Sequence, residues 1–150
     1  MIFIDTDVFV IDLRYQRDEK YSDNELFLKQ AANAGATTSY YNLLEVCGIL
    51  SFNLNKEQLF ELYYYFPRRY NLKNISPLKP HELLPAFSIS SLMNVMSMKV
   101  SFGDTLVICA AKEFDGRLDC FVSWNADHFK GKLEITVLTP AEYLLKQHDE

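Results

Sequence analysis

The sequence is poor in cysteine, and its three thiols, Cys47, Cys109 and Cys120, are odd in number, lie among apolar residues and lack metal-ligand spacing. That excludes a disulfide framework and a zinc ribbon, and reads as buried, reduced thiols in a reducing compartment. No apolar run approaches the roughly 20 residues that a membrane span needs. The first residues carry no basic stretch and no small-residue cleavage site, so no signal peptide is expected and the expected location is the cytoplasm. Positive charge is also scarce: 15 Lys and Arg face 20 Asp and Glu, a net charge of −5. Such a balance argues against a surface that grips nucleic acid everywhere by bulk electrostatics, while leaving room for a local basic track. With no internal repeat, low-complexity tract or linker, residues 1–150 read as one domain.

What is present begins at once. Met1 to Ile4 is a short continuous apolar run that stops on Asp5-Thr6-Asp7. A run of that kind reads as a strand buried on both faces, as in the middle of a parallel sheet. Ligands of open α/β folds sit just beyond the carboxyl ends of the strands, so Asp5 is expected at the mouth of a crevice. A carboxylate there is costly to bury unless something positive faces it, and a hard divalent cation is the simplest candidate.

The rest of the chain alternates. Asp7–Leu13 reads as a short helix. Ser22 with Glu25 forms a capping-box pattern for a second helix that Gly35 stops, and Ala36–Ser39 reads as a strand. Tyr40–Phe52 carries a helical apolar stripe of Leu43, Leu44, Cys47 and Leu50. Asn55 with Gln58 starts another helix, expected to end at Pro67. Leu72–Ser76 is expected as a short strand, Ser88–Val100 as a helix, and Asp104 as the opening of a buried helix ended by Asp115-Gly116. Asp119–Trp124 and Glu134–Leu138 read as strands, and Pro140 starts a terminal helix. Strands alternating with helices imply a parallel sheet in an α/β sandwich.

Four acids, Asp5, Glu45, Asp104 and Asp127, each lie next to a strand end or a helix start. If the strands are parallel, these ends converge on one edge of the sheet, where clustered carboxylates repel one another unless a cation neutralises them. Ile4-Asp5-Thr6-Asp7, Ser39-Tyr-Tyr-Asn-Leu-Leu-Glu45, Gly103-Asp104-Thr-Leu-Val-Ile-Cys-Ala-Ala111 and Phe121-Val-Ser-Trp-Asn-Ala-Asp-His-Phe129 together resemble the successive signatures of PIN domains, above all of VapC-type toxin ribonucleases. The resemblance spans nearly the whole chain in order. It implies the three-layer α/β/α PIN fold, with Asp5, Glu45 and Asp104 at the family's acidic metal positions. Thr6 matches the hydroxyl residue after the first acid, and Ser123 the hydroxyl before the last site residues. Asn125 stands where the family often has Asp, which makes Asp127 the expected fourth acid. Asp7 stands where Asn is common, as a further ligand or only a helix cap.

The chemistry so implied is hydrolysis of RNA phosphodiester bonds with one or two Mg²⁺ or Mn²⁺ ions. The implied partners are RNA, a small antitoxin lying over the Tyr40-Tyr41 and Leu59–Phe66 helices, and a second copy in a homodimer. Arg68 and Arg69 beside Tyr63-Tyr64-Tyr65, and Lys130 after the fourth acid, are the candidate substrate contacts. Two other readings stay open: a PIN-like scaffold without catalysis, and a haloacid-dehalogenase-like phosphatase, whose opening motif Asp5-Thr6-Asp7 also resembles.

Overall fold

The computed structural model describes residues 1–114 and 116–148, so Asp115, where one helix was expected to end, lies outside the described residues. In chain order the elements are β1 (Ile2–Ile4), α1 (Thr6–Arg14), α2 (Tyr21–Ala34), β2 (Ala36–Thr37), α3 (Tyr40–Leu50), α4 (Lys56–Arg69), α5 (Ile89–Met96), α6 (Phe102–Lys112), β3 (Cys120–Val122), α7 (Ala126–Phe129), β4 (Thr136–Leu138) and α8 (Pro140–His148). The strands form a parallel sheet in the order β2-β1-β3-β4, with Ile2 opposite Ala36 and Cys120, and Cys120 opposite Thr136. The chain leaves β1 toward one edge and later returns to its other side, so the crevice at the carboxyl ends of β1 and β3 is the topological switch point.

Alternation along the short strands divides the core into two layers. Ile2, Ile4, Cys120, Val122 and Leu138 pack with residues of α1, α2, α3 and α8. Phe3, Phe121 and Val137 point the other way, toward α5, α6 and α7. There Phe3 stacks on Phe121 at 5.2 Å, and Phe121 meets Phe129 at 4.6 Å between ring centroids. The result is a three-layer α/β/α sandwich.

Several element ends differ from expectation. Ser22 does not cap α2, which already begins at Tyr21 after Lys20. Pro67 does not end α4, which runs on to Arg69. Pro67 removes one helical hydrogen bond. The last turn is held by fully buried Phe66, whose ring lies 4.8 Å from Phe9 and 4.9 Å from Tyr70. Leu72–Ser76 is reduced to a single bridge from Leu72 to Ala36, because Asn71 and Asn74 take φ of 50° and 57° and turn the chain off the sheet. Ser101 caps α6, so that helix starts at Phe102 and Asp104 sits in its first turn. The expected stop at Gly35 is present: its φ is +98°, and its carbonyl accepts from the Ile2 amide at 3.0 Å. Gly35→Ala meets no clash but does meet that backbone angle, and is expected to cost about 1–2 kcal/mol in chemical denaturation.

Candidate functional site

Asp5 follows β1 directly, and its amide donates to the Val122 carbonyl of β3 at 3.0 Å, which fixes it at the switch point. It is also the N-cap of α1: its Oδ1 accepts from the Thr6 amide at 2.8 Å. An N-cap carboxylate is favoured by the helix dipole, which is one reason the strand breaks into a helix here. The same Oδ1 accepts from Asn42 Nδ2 at 3.0 Å, and Oδ2 accepts from Ser123 Oγ at 2.8 Å.

A connected group of side chains grows from this residue. Ser123 Oγ also lies 3.0 Å from Asp7 Oδ2, which accepts in addition from the Asn125 amide at 3.0 Å. Asn42 Nδ2 also reaches Thr6 Oγ1 at 3.1 Å, and Thr6 Oγ1 donates to Glu45 Oε2 at 2.5 Å. Behind Asn42 stands Ser39, the N-cap of α3, whose hydroxyl donates to Asn42 Oδ1 at 2.5 Å. Asn42 and Glu45 are three apart on α3, one turn on the same face. Asp5, Thr6, Asn42 and Ser123 are buried, while Glu45 is exposed, so the group opens to solvent past Glu45.

The electrostatics follow from burial. Loss of water, then the charge of Asp7 and to a lesser degree that of Glu45, pushes the Asp5 carboxyl up to about 8, against the hydrogen bonds from Thr6 and Ser123. Burial raises Asp7 as well, against the bonds its Oδ2 accepts from Ser123 and from the Asn125 amide. Geometry agrees: Ser123 has one hydroxyl hydrogen for two carboxylates, so a proton shared by the pair would complete its bonding. Asp7 Oδ1 is buried with no hydrogen-bond partner among the described residues. A site with an orphaned carboxylate oxygen and a raised carboxyl is short of positive charge.

Asp5, Glu45, Thr6 and Ser123 are thus joined by hydrogen bonds; the side chains of the other expected site residues make no bond to this group among the described residues. Asp104 is half-buried in the first turn of α6, which packs on α3, and its carboxylate has no hydrogen-bond or ion-pair partner among the described residues. Asp127 points away. Ala126 and Phe129 are the buried positions of α7, which turns Asp127 and His128 outward. The Asp127 carboxylate is 90% exposed and pairs with Lys130 at 3.1 Å. Lys130 pairs with Glu142 as well. Asn125 contributes its backbone amide to Asp7, and its side chain is exposed. Arg69 pairs with Asp12 at 3.6 Å, near the end of α1 remote from Thr6, about 9 Å along the helix. Arg68 is exposed beside it.

Two residues of the group were not among the expected site residues. Asn42 lies inside the Ser39–Glu45 motif, and its spacing to Ser39 and Glu45 was the available signal. Asp7 was legible only as a ligand or a cap; its bonds to Ser123 and Asn125 come from the neighbouring strand end. Among the described residues, no three His, Cys, Asp or Glu side chains are grouped to hold a metal ion.

No protein-family model matches the chain, and no curated protein matches it. The chain is similar to a solved structure described as FitAB bound to an IR36 DNA fragment. The match covers 93% of this chain and 95% of that one, with a TM-score of 0.57 and 19% sequence identity. That likeness shows the fold, a PIN-like α/β/α sandwich.

Proposed function

We propose that this chain is a Mg²⁺- or Mn²⁺-dependent endoribonuclease, the toxin of a VapC-type toxin–antitoxin pair. The observation that carries the reading is the bonded group of Asp5, Asp7 and Glu45 at the switch point, with Asp7 Oδ1 buried and unpartnered among the described residues. The donor set fits the metal. Carboxylate oxygens suit hard cations, and Mg²⁺ keeps several waters and needs only one or two protein carboxylates, not a closed cage. Asp5 and Asp7 would hold the ion, with Glu45 at the solvent side and Asp104 a free carboxylate on the adjoining helix. When bound, such an ion activates a water and stabilises charge on a phosphoryl group.

The chain's own residues do the rest. Thr6 and Asn42 fix the orientation of Glu45 and Asp5, and Ser123 holds the two aspartates at one spacing. Single-stranded or looped RNA is the substrate this reading takes, because its backbone can bend into a narrow acidic site. The structural neighbour, FitAB bound to DNA, supports a chain that works beside a partner on nucleic acid. The antitoxin would lie on the apolar surfaces flanking α4. One is a groove of about 540 Å³ lined by residues that include Leu50, Leu62, Tyr65 and Phe66. Another, of about 280 Å³, is lined by residues that include Leu59, Phe60 and Tyr64. A homodimer would use the exposed Ile89, Met93 and Phe102. No helix among the described residues is long and apolar enough to cross a membrane.

A scaffold without catalysis is the second reading, favoured by the outward Asp127 and by the want, among the described residues, of three acidic side chains placed to hold one ion. Incubation of the chain with mixed-sequence single-stranded RNA in Mg²⁺, Mn²⁺ or EDTA separates the two. Metal-dependent cutting is expected; no cutting, with no Mn²⁺ bound by calorimetry, leaves the scaffold. In the same assay Asp127→Asn is expected to keep activity within about twofold, because a solvated ion pair contributes little.

A further inference from the structure

We infer that Lys20 and Trp124 form a phosphate-holding lip beside the acid group, where a substrate phosphodiester is received; the inference rests on the nuclease reading above. Trp124 is the chain's single tryptophan and stands between Ser123 and Asn125. Its two sequence neighbours belong to the acid group: Ser123 Oγ and the Asn125 amide both reach Asp7 Oδ2 at 3.0 Å. Its ring is clamped from behind: Nε1 donates to Asn24 Oδ1 at 2.7 Å, and fully buried Asn24 donates through Nδ2 to the Val8 carbonyl of α1 at 2.9 Å. The ring packs half-buried against the core, and Lys20 Nζ lies over it, 5.4 Å from its centroid.

Lys20 is exposed, and among the described residues its ammonium has no ion-pair partner. Lys130 is held by Asp127 and Glu142, and Arg69 by Asp12. An exposed lysine ordinarily samples many rotamers; here the ammonium lies over a fixed aromatic face whose residue stands between Ser123 and Asn125 in sequence. Asp5, Asp7 and Glu45 repel an incoming phosphate, and a neighbouring ammonium offers it three donors and a compensating charge. When the ammonium turns to a phosphate, the outer face of the ring is uncovered for an unpaired base to stack on.

Trp124 reports on its own occupancy. The full-length chain carrying Asp5→Asn, so that bound RNA stays uncut, is titrated with end-labelled mixed-sequence single-stranded RNA at several salt concentrations, with tryptophan fluorescence and label anisotropy both read. Expected are quenching of Trp124 on binding and a Kd weakened about fivefold by adding Lys20→Ala. The salt slope should fall by about 0.7, one phosphate contact to a single strand. Lys20→Arg should restore most of the affinity, and each Lys20 variant should keep the melting temperature of the Asp5→Asn chain that carries it. In the cleaving chain, Lys20→Ala should act mainly on KM. Binding seen by anisotropy with Trp124 unquenched, and with Kd and salt slope unaltered by Lys20→Ala, overturns the lip and leaves the nuclease reading standing. No binding at all, with no metal-dependent cutting by the unaltered chain, removes both.

Discussion

Asp5→Asn is expected to lower metal-dependent RNA cleavage by roughly 10³-fold or more, about 4 kcal/mol of transition-state stabilisation, and at the same time to make the protein more stable. The substitution removes a charge without removing shape. Its oxygen still accepts from the Thr6 amide and from Asn42, and its new NH₂ replaces Oδ2 opposite Ser123. Ser123 can then accept from that NH₂ and give its one hydrogen to Asp7, which resolves the competition between the two carboxylates.

The pH dependence has a definite sign. Asp5 in the folded chain is pushed up to about 8 from an ordinary 3.8. Between those values the folded state holds more protons than the unfolded one, so stability contributed at low pH is lost as pH rises from about 4 to about 8. Asp7, also raised, adds to the same slope in both proteins. In EDTA, the advantage of Asp5→Asn should therefore be small near pH 4 and grow to about 2–4 kcal/mol by pH 8, read by chemical denaturation. Mn²⁺ should raise the melting temperature of the unaltered chain at pH 8 and do so far less in the variant, since only a bound native state is stabilised by mass action. A variant less stable than the parent at pH 8 would mean that Asp5 is held as a structural anion, and the metal reading would lose its main support.

Such a trade of stability for function is where sequence reasoning should be informative, because a buried charge at a strand end costs more than its helix cap returns. Asp5 and Glu45 were legible from their places at the end of a patterned strand and in the first turns of a helix, and Thr6 and Ser123 through the resemblance to PIN domains. What failed was rotation and reach. Asp127 follows β3 as Asp5 follows β1, but the Ala126–Phe129 turn is set by which two of its residues are buried, and that choice swings the carboxylate out to Lys130. The spacing Ala-Asp-His-Phe held this information, in the small and aromatic residues and not in the acid. Pro67 shows the same limit for the fold: the local rule ends the helix, and the packing of Phe66 against Phe9 and Tyr70 outweighs it. The shared hydrogen of Ser123 and the double donation from Asn42 are cross-chain relations of 36 to 118 residues in sequence separation, and no local pattern encodes them.

Asn42→Asp tests those cross-chain relations with a change of one atom. Asn42 is fully buried, and its amide is oriented by its neighbours: Ser39 donates to the oxygen, while Asp5 and Thr6 receive from the nitrogen. The introduced carboxylate places an oxygen where that NH₂ stood, 3.0 Å from Asp5 Oδ1. Two acceptors then face each other without a hydrogen, and a fourth negative charge enters the group of Asp5, Asp7 and Glu45. Removing a donor from a buried carboxylate and adding a like charge beside it should cost about 3 kcal/mol or more at pH 8 in EDTA. The deficit should shrink toward pH 4, because a carboxyl that has taken up a proton donates again across the same gap. Catalysis should fall about 10- to 100-fold, the usual effect of disturbing a residue that orients a metal ligand. If Asn42→Asp matches its parent in stability at pH 8 without metal, the four side chains are not bonded as drawn, and Glu45 and Asp5 are positioned independently. If the deficit appears but is flat with pH, the loss is one of packing at α3, and the acidic group is not what the substitution disturbs.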